Sequence, residues 1–581
     1  MVTINTLQWK IGGPAGLGIK TTGEMFARLC MHAGLHVFGY TEYPSLIRGG
    51  HNTYQAYVSE KKIRAQVHLV DVLIALNKET ISLHLDELAD QAAIIYDIDK
   101  VQVDDIDLKG KQLHFYPIPL TKCAKESGGS DVMMNNVALG ATLAVLDYDI
   151  ANLHALIEET FGKKGEKIVK INKDSAHCGY DFVKRNFPQD FHIKLRSIGT
   201  SNRILIAANE AMGMGAIAAG CKFYVAYPMT PTSSILHFMA EYGPKYGVLV
   251  RHAEDEIGVI NQAVGAGYAG VRVMCATSGG GFSLMTEGYG LAAMTETPVV
   301  IVEGQRPGPA TGLPTWTEQG DLRFVLHAHQ GDFPRIVLAP GDTQEAFFLT
   351  AEAFNIAERY QTPVILLTDK HLGESHESTE PFEYTKITID HGELISDETL
   401  TKETDYKRYQ FTDSGISPRS LPGQAGGVYL ANSDEHDEHG DSVEGADNRT
   451  RMVEKRMRKF TMLEKSLPKP TLYGPESADV TILSFGSTKG AIFDAIDILE
   501  QEKIPVNFLQ VTFLSPFPTQ AVKEVVTKAK KTLVVEGNYT GQFESLIREH
   551  CLTEVHEHLR RYDGRPFYAL DIVTKVKEMA K

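Results

Sequence analysis

The sequence predicts a multidomain α/β protein. Short β-branched runs alternate with helical periodicity over most of the chain, and several runs end in glycine-rich turns. The 581 residues suffice for three or four domains of roughly 150 residues each. Apolar residues at 43% allow several cores. The 58 basic against 74 acidic side chains leave a net charge of −16, which argues against a nucleic-acid partner, because counterion release needs clustered Lys and Arg. A local basic pocket for an anionic substrate stays open. No stretch reads as a membrane span or a signal peptide, so a cytoplasmic location is expected. Cys30, Cys123, Cys178, Cys221, Cys275 and Cys551 form no CxxC pair, so neither a zinc ribbon nor a ferredoxin-type cluster is expected. They read as six free thiols in a reducing compartment.

A first strand at 7–11 runs into the loop Gly12-Gly13-Pro14-Ala15-Gly16-Leu17-Gly18, and a helix follows at 20–32. Strands at 53–58, 72–76 and 93–96 and helices at 132–146 and 153–161 complete a first domain over 1–195. A second β/α series starts at 203–208. Its strands are expected at 223–227, 248–251, 271–276, 299–303, 335–338 and 364–368, within a domain over 200–400. Over 401–470 the periodicity fails, and an acidic patch at 434–447 precedes a basic one at 449–459. This segment reads as a long connector. A third α/β unit fills 471–581.

Several of these segments could carry chemistry. The loop around Gly13, Gly16 and Gly18 suits a phosphate at a helix N-terminus, or is only a tight turn. Arg48-Gly49-Gly50-His51 offers a similar choice between anion nest and turn. In Tyr227-Pro228-Met229-Thr230-Pro231, Pro231 fits a first helical turn with Thr230 at or near the N-cap. Glu254, Asp255 and Glu256 open the next helix, where acids complement the macrodipole. Glu256 differs from its neighbours because it shares its face with Ile260, Ala263 and Val264, the apolar stripe. A carboxyl there needs a proton or a buried partner, since burying a bare charge is expensive. Arg306 could hold a carboxylate bidentately or be a solvated loop residue. His436-Asp437-Glu438-His439 contains metal-ligand types, but no element fixes their geometry and no metal site is assigned.

In order along the chain, YPMTPTSS, HAEDEIGVINQAVGAGYAG, ATSGGGFSLMTEG and QRPGPATGLPTWTEQGDL resemble the α subunit of 2-oxoacid:ferredoxin oxidoreductases. The likeness is nearest to 2-oxoglutarate-type enzymes with a γ domain fused ahead of α. GGPAGLGIKTTGE and YPSLIRGGHNTY resemble that γ domain, and GISPR, NSDEHDE, EKRMRK and FGSTKG extend the likeness. The resemblance implies a γ-type domain over 1–195, a pyrimidine-binding domain over 200–400 and a transketolase C-terminal-like domain over 471–581. It implies thiamine diphosphate, coenzyme A as co-substrate, ferredoxin as acceptor, and a β subunit in an (αβ)2 assembly. That subunit would supply Mg2+, a [4Fe–4S] cluster and the diphosphate site; this sequence has no Gly-Asp-Gly motif. In the resemblance, Glu256 faces N1′ of the aminopyrimidine, Tyr227, Pro228 and Thr230 lie by the cofactor, and Thr230 and Arg306 meet the substrate carboxylate. Gly13, Gly16, Gly18 and Arg48 would hold coenzyme A phosphates. Ala208-Asn209-Glu210 and Gly279-Gly280-Gly281 depart from the usual Gly-Asn-Glu and Gly-Pro-Gly. A non-oxidative thiamine enzyme, a non-catalytic nucleotide- or coenzyme A-binding protein, and pyruvate or branched-chain specificity remain alternatives. Arg323, His327 and Lys370 are candidates for a distal carboxylate's cation.

Overall fold

An eight-stranded mixed sheet organises the N-terminal part of the computed structural model, which describes residues 2–46, 49–104 and 106–581. Arg48 lies outside the described residues. The chain divides into two units, residues up to 206 with Ser375–Pro381, and Ala207–Glu374 with Phe382–Lys581.

In the first unit, His114–Ile118, Leu88–Asp97, Val70–Ala75 and Leu7–Pro14 run parallel. His51–Ser59 and His36–Glu42 continue the sheet antiparallel, joined by a short connection that only antiparallel neighbours can use. The 36–42 strand was not anticipated, and it turns the expected parallel sheet into a mixed one. His376–Thr379 and then Ile204–Ala207 extend this sheet, so the strand expected to open the second series belongs here. Helix Ile19–His32 packs Phe26 on Trp9, with ring centroids 4.6 Å apart. Helices Met134–Val145 and Glu166–Asn186 cross almost backbone to backbone: a Cβ on Gly140 would lie 1.9 Å from Ala176 O. Cys123 and Cys178 form a disulfide, their Cα atoms 6.0 Å apart, which corrects the expectation of six free thiols. Helices Leu120–Glu126 and Glu166–Asn186 bring together two cysteines that sequence separation kept apart.

The second unit contains a seven-stranded sheet in the order Leu249–His252, Phe223–Ala226, Val273–Thr277, Val299–Gln305, Pro363–Asp369, Ile336–Leu338, Phe513–Ser515. Its first six strands are parallel and match those read from the sequence. A five-stranded sheet, Thr471–Tyr473, Val506–Gln510, Val480–Ser484, Thr532–Glu536 and Glu557–Arg560, serves the C-terminal part. No helix among the described residues is long and apolar enough to cross a membrane.

The 401–470 segment is more ordered than a connector, since Ala446–Ser466 is a helix of 21 residues. Of its five buried residues only Met452 and Leu463 are apolar, while Lys455, Arg456 and Lys459 are charged, so apolar periodicity reveals it poorly. Glu296, buried, accepts from Lys455 at 2.6 Å and also from Lys459, while Arg408 donates to its carbonyl at 2.9 Å. Burial opposes ionisation of Glu296, but the two lysines and Arg408 outweigh it and hold the carboxyl below its usual range. Glu435 accepts from Arg456 at 2.8 Å and from Arg449. Glu296→Ala strands two buried ammonium groups. It should cost about 3–5 kcal/mol of stability, read as a lower denaturation midpoint of the full chain; an unchanged midpoint would contradict this role.

Candidate active site

Parallel register aligns the C-terminal ends of the central strands of the seven-stranded sheet. Ala226 lies level with His252 and Ala276, Thr277 with Glu303, and Gln305 with Asp369. In open α/β sheets this edge gathers ligands, and the loops leaving it hold the candidate residues.

Asp255 caps helix Glu256–Tyr268, its carboxylate accepting from Gly258 N at 2.7 Å. This frees Glu256 from capping. Glu256 is 3% exposed, and Ile260, Ala263 and Val264 on its face are buried. Its Oε1 has no hydrogen-bond partner among the described residues. Such an oxygen is costly unless a ligand satisfies it. The carboxyl lies against the first turn of helix Gly279–Met294. A Cβ on Gly281 would stand 2.6 Å from Glu256 Oε1 and 2.0 Å from Thr277 Oγ1. Thr277 Oγ1 in turn donates to Met229 Sδ at 3.9 Å.

Met229 belongs to the loop that carries Thr230. The following helix starts at Ser233 with Thr232 at its N-cap, so Thr230 is not the cap and Pro231 precedes the first turn. Thr232 Oγ1 donates instead to Met229 O at 3.0 Å. Asn209, fully buried, donates to Pro231 O at 2.9 Å and to Ser234 Oγ at 2.8 Å, holding the loop from behind. Arg306 Nη1 donates to Thr230 O at 2.7 Å. The structure thus brings Glu256, Thr230 and Arg306 into one connected set. Tyr227 and Pro228 are exposed on the same loop, the Tyr227 ring 5.9 Å from that of His252.

A cavity of about 380 Å³ adjoins this set, lined by Ser278, Gly279, Gly280, Arg306, Asp321 and Phe324 among others. Beneath it lie acids that the sequence reading passed over. Glu303 is fully buried, with no hydrogen-bond partner for its carboxylate oxygens among the described residues; burial first, then the neighbouring charge of Asp321, pushes its carboxyl well above the usual range. Burial likewise raises Asp321 and lifts Glu318 to about 7. The one available signal was an acid inside the apolar run VVIVEGQ. Arg323 is engaged by Glu549 at 2.7 Å, His327 is exposed, and Lys370 is buried 4.0 Å from Glu374. His436 is buried with its ring 4.1 Å from that of Tyr409, and His439 is bonded to Asp405 at 2.7 Å.

In the first unit, Gly16 and Gly18 adopt left-handed φ of 89° and 73°, and Gly18 precedes helix Ile19–His32 with no side-chain cap. The space around Gly16 is open. Gly13 lies within the strand, where a Cβ would meet Leu76 Cβ at 2.8 Å. His51 Nε2 lies 2.8 Å from His84 Nε2, beside buried Lys10.

Three protein families match successive stretches of the chain. Residues 8–182 match pyruvate ferredoxin/flavodoxin oxidoreductase, 214–455 its thiamine diphosphate-binding domain, and 478–572 core domain II of pyruvate:ferredoxin oxidoreductase. The 2-oxoacid:ferredoxin oxidoreductase α subunit of a Sulfolobus species is 34% identical over 97% of this chain and 95% of its own. The 2-oxoglutarate synthase subunit KorA of Archaeoglobus fulgidus is 36% identical over 60% of this chain and 92% of its own. Among solved structures, the Magnetococcus marinus 2-oxoglutarate:ferredoxin oxidoreductase, with 2-oxoglutarate, coenzyme A and succinyl-CoA bound, superposes with a TM-score of 0.92 at 33% identity. It covers 99% of this chain and 100% of that one.

The crowding at Gly281 is testable by stability alone. Gly281→Ala should lose roughly 1–3 kcal/mol through overpacking, while Gly280→Ala, whose nearest atom lies 3.9 Å away, should lose nothing. Equal midpoints for the two variants would contradict the close fit around Glu256.

Proposed function

The chain belongs to the 2-oxoacid:ferredoxin oxidoreductase family as an α subunit, and we propose that it converts 2-oxoglutarate and coenzyme A to succinyl-CoA, CO2 and reduced ferredoxin. The observation that carries the proposal is the buried Oε1 of Glu256, which has no partner among the described residues. It fits thiamine diphosphate, whose aminopyrimidine offers a ring nitrogen able to share a proton with a carboxyl. When bound, thiamine diphosphate supplies the nucleophilic carbon and the electron sink for decarboxylation.

This chain's residues do the rest of their half. Glu256 holds or yields a proton at Oε1 in a pocket shut from water on the protein side, where proton transfer is not levelled by solvent. Gly281 leaves the room the carboxyl needs. Arg306 spends one N–H on Thr230 O, which fixes its guanidinium and leaves further donors for the oxoacid carboxylate. The Thr230 hydroxyl, released from capping, is available to the substrate carbonyl. The left-handed Gly16–Gly18 turn supports a part in holding coenzyme A phosphates.

Preference for 2-oxoglutarate is supported by the KorA relatives and the Magnetococcus neighbour. Because Arg323 is paired with Glu549, the cation for the distal carboxylate is assigned to a β subunit rather than to this residue. Ile257 and Leu284 are each 50% exposed, one beside Glu256 and one beyond Gly281, and support a partner surface there. That partner is proposed to carry Mg2+ and the [4Fe–4S] cluster.

With the partner co-expressed, the chain should reduce a viologen dye on addition of 2-oxoglutarate and coenzyme A; no reduction with any 2-oxoacid would defeat the proposal. Glu256→Ala should keep the fold and lose on the order of 10²-fold or more in turnover. Arg306→Ala should raise KM for the oxoacid by roughly tenfold with kcat little changed. An unchanged KM would remove Arg306 from the carboxylate site.

A further inference from the structure

The five-stranded sheet of the C-terminal part has a ligand crevice, and a side chain from the loop after Arg306 already fills it. Val480–Ser484 is the first of its parallel strands; the chain next forms Val506–Gln510 on one side of it and then Thr532–Glu536 on the other. That reversal is a topological switch point, where the loops leaving the two strands frame the crevice in which open α/β sheets bind ligands. Here the loops are Phe485-Gly486-Ser487 and Gly537-Asn538, and Gln319, 2% exposed, bridges them. Its Nε2 donates to Phe485 O at 3.0 Å, and its Oε1 accepts from Gly537 N at 2.8 Å. The backbone is held as well: Gln319 N donates to Gly537 O at 2.6 Å, and Asn538 Nδ2 donates to Gln319 O at 3.1 Å. A Cβ on Gly486 would lie 2.9 Å from Gln319 Nε2, so the glycine leaves room for the amide. The space remaining alongside is about 20 Å³, which suits a water molecule rather than a ligand.

Gln319 belongs to the segment that runs from Arg306 to Asp321 and Phe324, three residues lining one cavity. Two residues beyond it, Asp321 N donates to Gln305 Oε1 at 3.0 Å, and Gln305, next to Arg306, donates to Thr368 O at 3.1 Å. Gln542, the first residue of helix Gln542–Cys551, completes the hold. Its Nε2 donates to Gly320 O at 2.6 Å, and its Oε1 accepts from Arg323 N at 2.8 Å. We propose that Gln319 is a positioning residue: as an internal ligand of the C-terminal sheet it fixes the segment 319–324, and with it the wall that Asp321 and Phe324 give to the oxoacid cavity of Arg306. This rests on the reading of Arg306 given above. Withdrawal of the amide would cost Phe485 O and Gly537 N a partner each, which keeps the segment in one place. The C-terminal part thereby acts on substrate binding without touching substrate. Glu256 lies on a different segment, so activation of the cofactor does not depend on Gln319.

The test uses the complex with its partner subunit. It reads KM for 2-oxoglutarate together with exchange of the thiazolium C2 proton of bound thiamine diphosphate. Gln319→Ala should raise KM roughly tenfold, the effect of a displaced cavity wall. Exchange should stay within about twofold of the wild-type rate, because it draws on Glu256 and not on the substrate cavity. A merely structural defect would disturb both. Because Gln319 acts through the Asp321–Gln305 contact, Gln319→Ala and Gln305→Ala should not multiply: the double variant should show the KM of the more affected single variant. A wild-type KM in Gln319→Ala, exchange slowed as far as KM rises, or effects that multiply in the double variant would overturn the proposal. If Gln319→Ala does not fold, Gln542→Ala decides. That half-buried residue releases Gly320 and Arg323 of the same segment, so KM should rise several-fold, and an unchanged KM would overturn the proposal alone. Arg306→Ala separates the two levels: if that variant leaves KM unchanged the reading of Arg306 falls, whereas if it raises KM while Gln319→Ala and Gln542→Ala do not, only the role of Gln319 falls.

Discussion

A carboxyl oxygen buried without a partner among the described residues is the constraint around which the candidate site is arranged. Glu256 opens its helix on the inward side, and Asp255 takes over the capping that Glu256 would otherwise perform. Gly281 has no side chain because Glu256 and Thr277 already fill that space. Removing the carboxyl's desolvation would need either water, for which the fit leaves little room, or a ligand with a proton to share. Chemistry at a thiamine ring asks for the second.

Much of this was legible in the chain. The helical spacing of Glu256 with Ile260, Ala263 and Val264 marked an acid on an apolar face, and burial of all four follows that spacing. The six parallel strands of the central sheet follow from their apolar runs. Thr230 was less legible, because a proline after a threonine is the usual mark of a helix start; here the helix begins three residues beyond Thr230. What periodicity could not reveal are places where polar groups make the core. Lys455, Arg456 and Lys459 are three of the five buried residues of a helix that apolar patterning marks only at Met452 and Leu463, and Glu296 and Glu435 receive them. Returning chain was equally hidden: His376–Thr379 pairs with His36–Glu42 across more than three hundred residues of sequence. The Cys123–Cys178 contact has the same origin, since only the packing of two helices brings those residues together.

The acidic and basic patches of 401–470, read separately as features of a loop, are two halves of one set of ion pairs. Glu435 belongs to the first and Arg449 and Arg456 to the second. Charge pairing here orders a segment whose composition lacks the apolar area to order itself.

The most direct measurement is exchange of the thiazolium C2 proton of thiamine diphosphate bound to the assembled enzyme, followed in deuterated buffer for wild type and Glu256→Gln. Glu256→Gln preserves the size of the side chain and should still bind the cofactor, but exchange should slow by on the order of 10²-fold. Exchange at the wild-type rate in that variant, with cofactor bound, would mean that the buried carboxyl does not serve the ring.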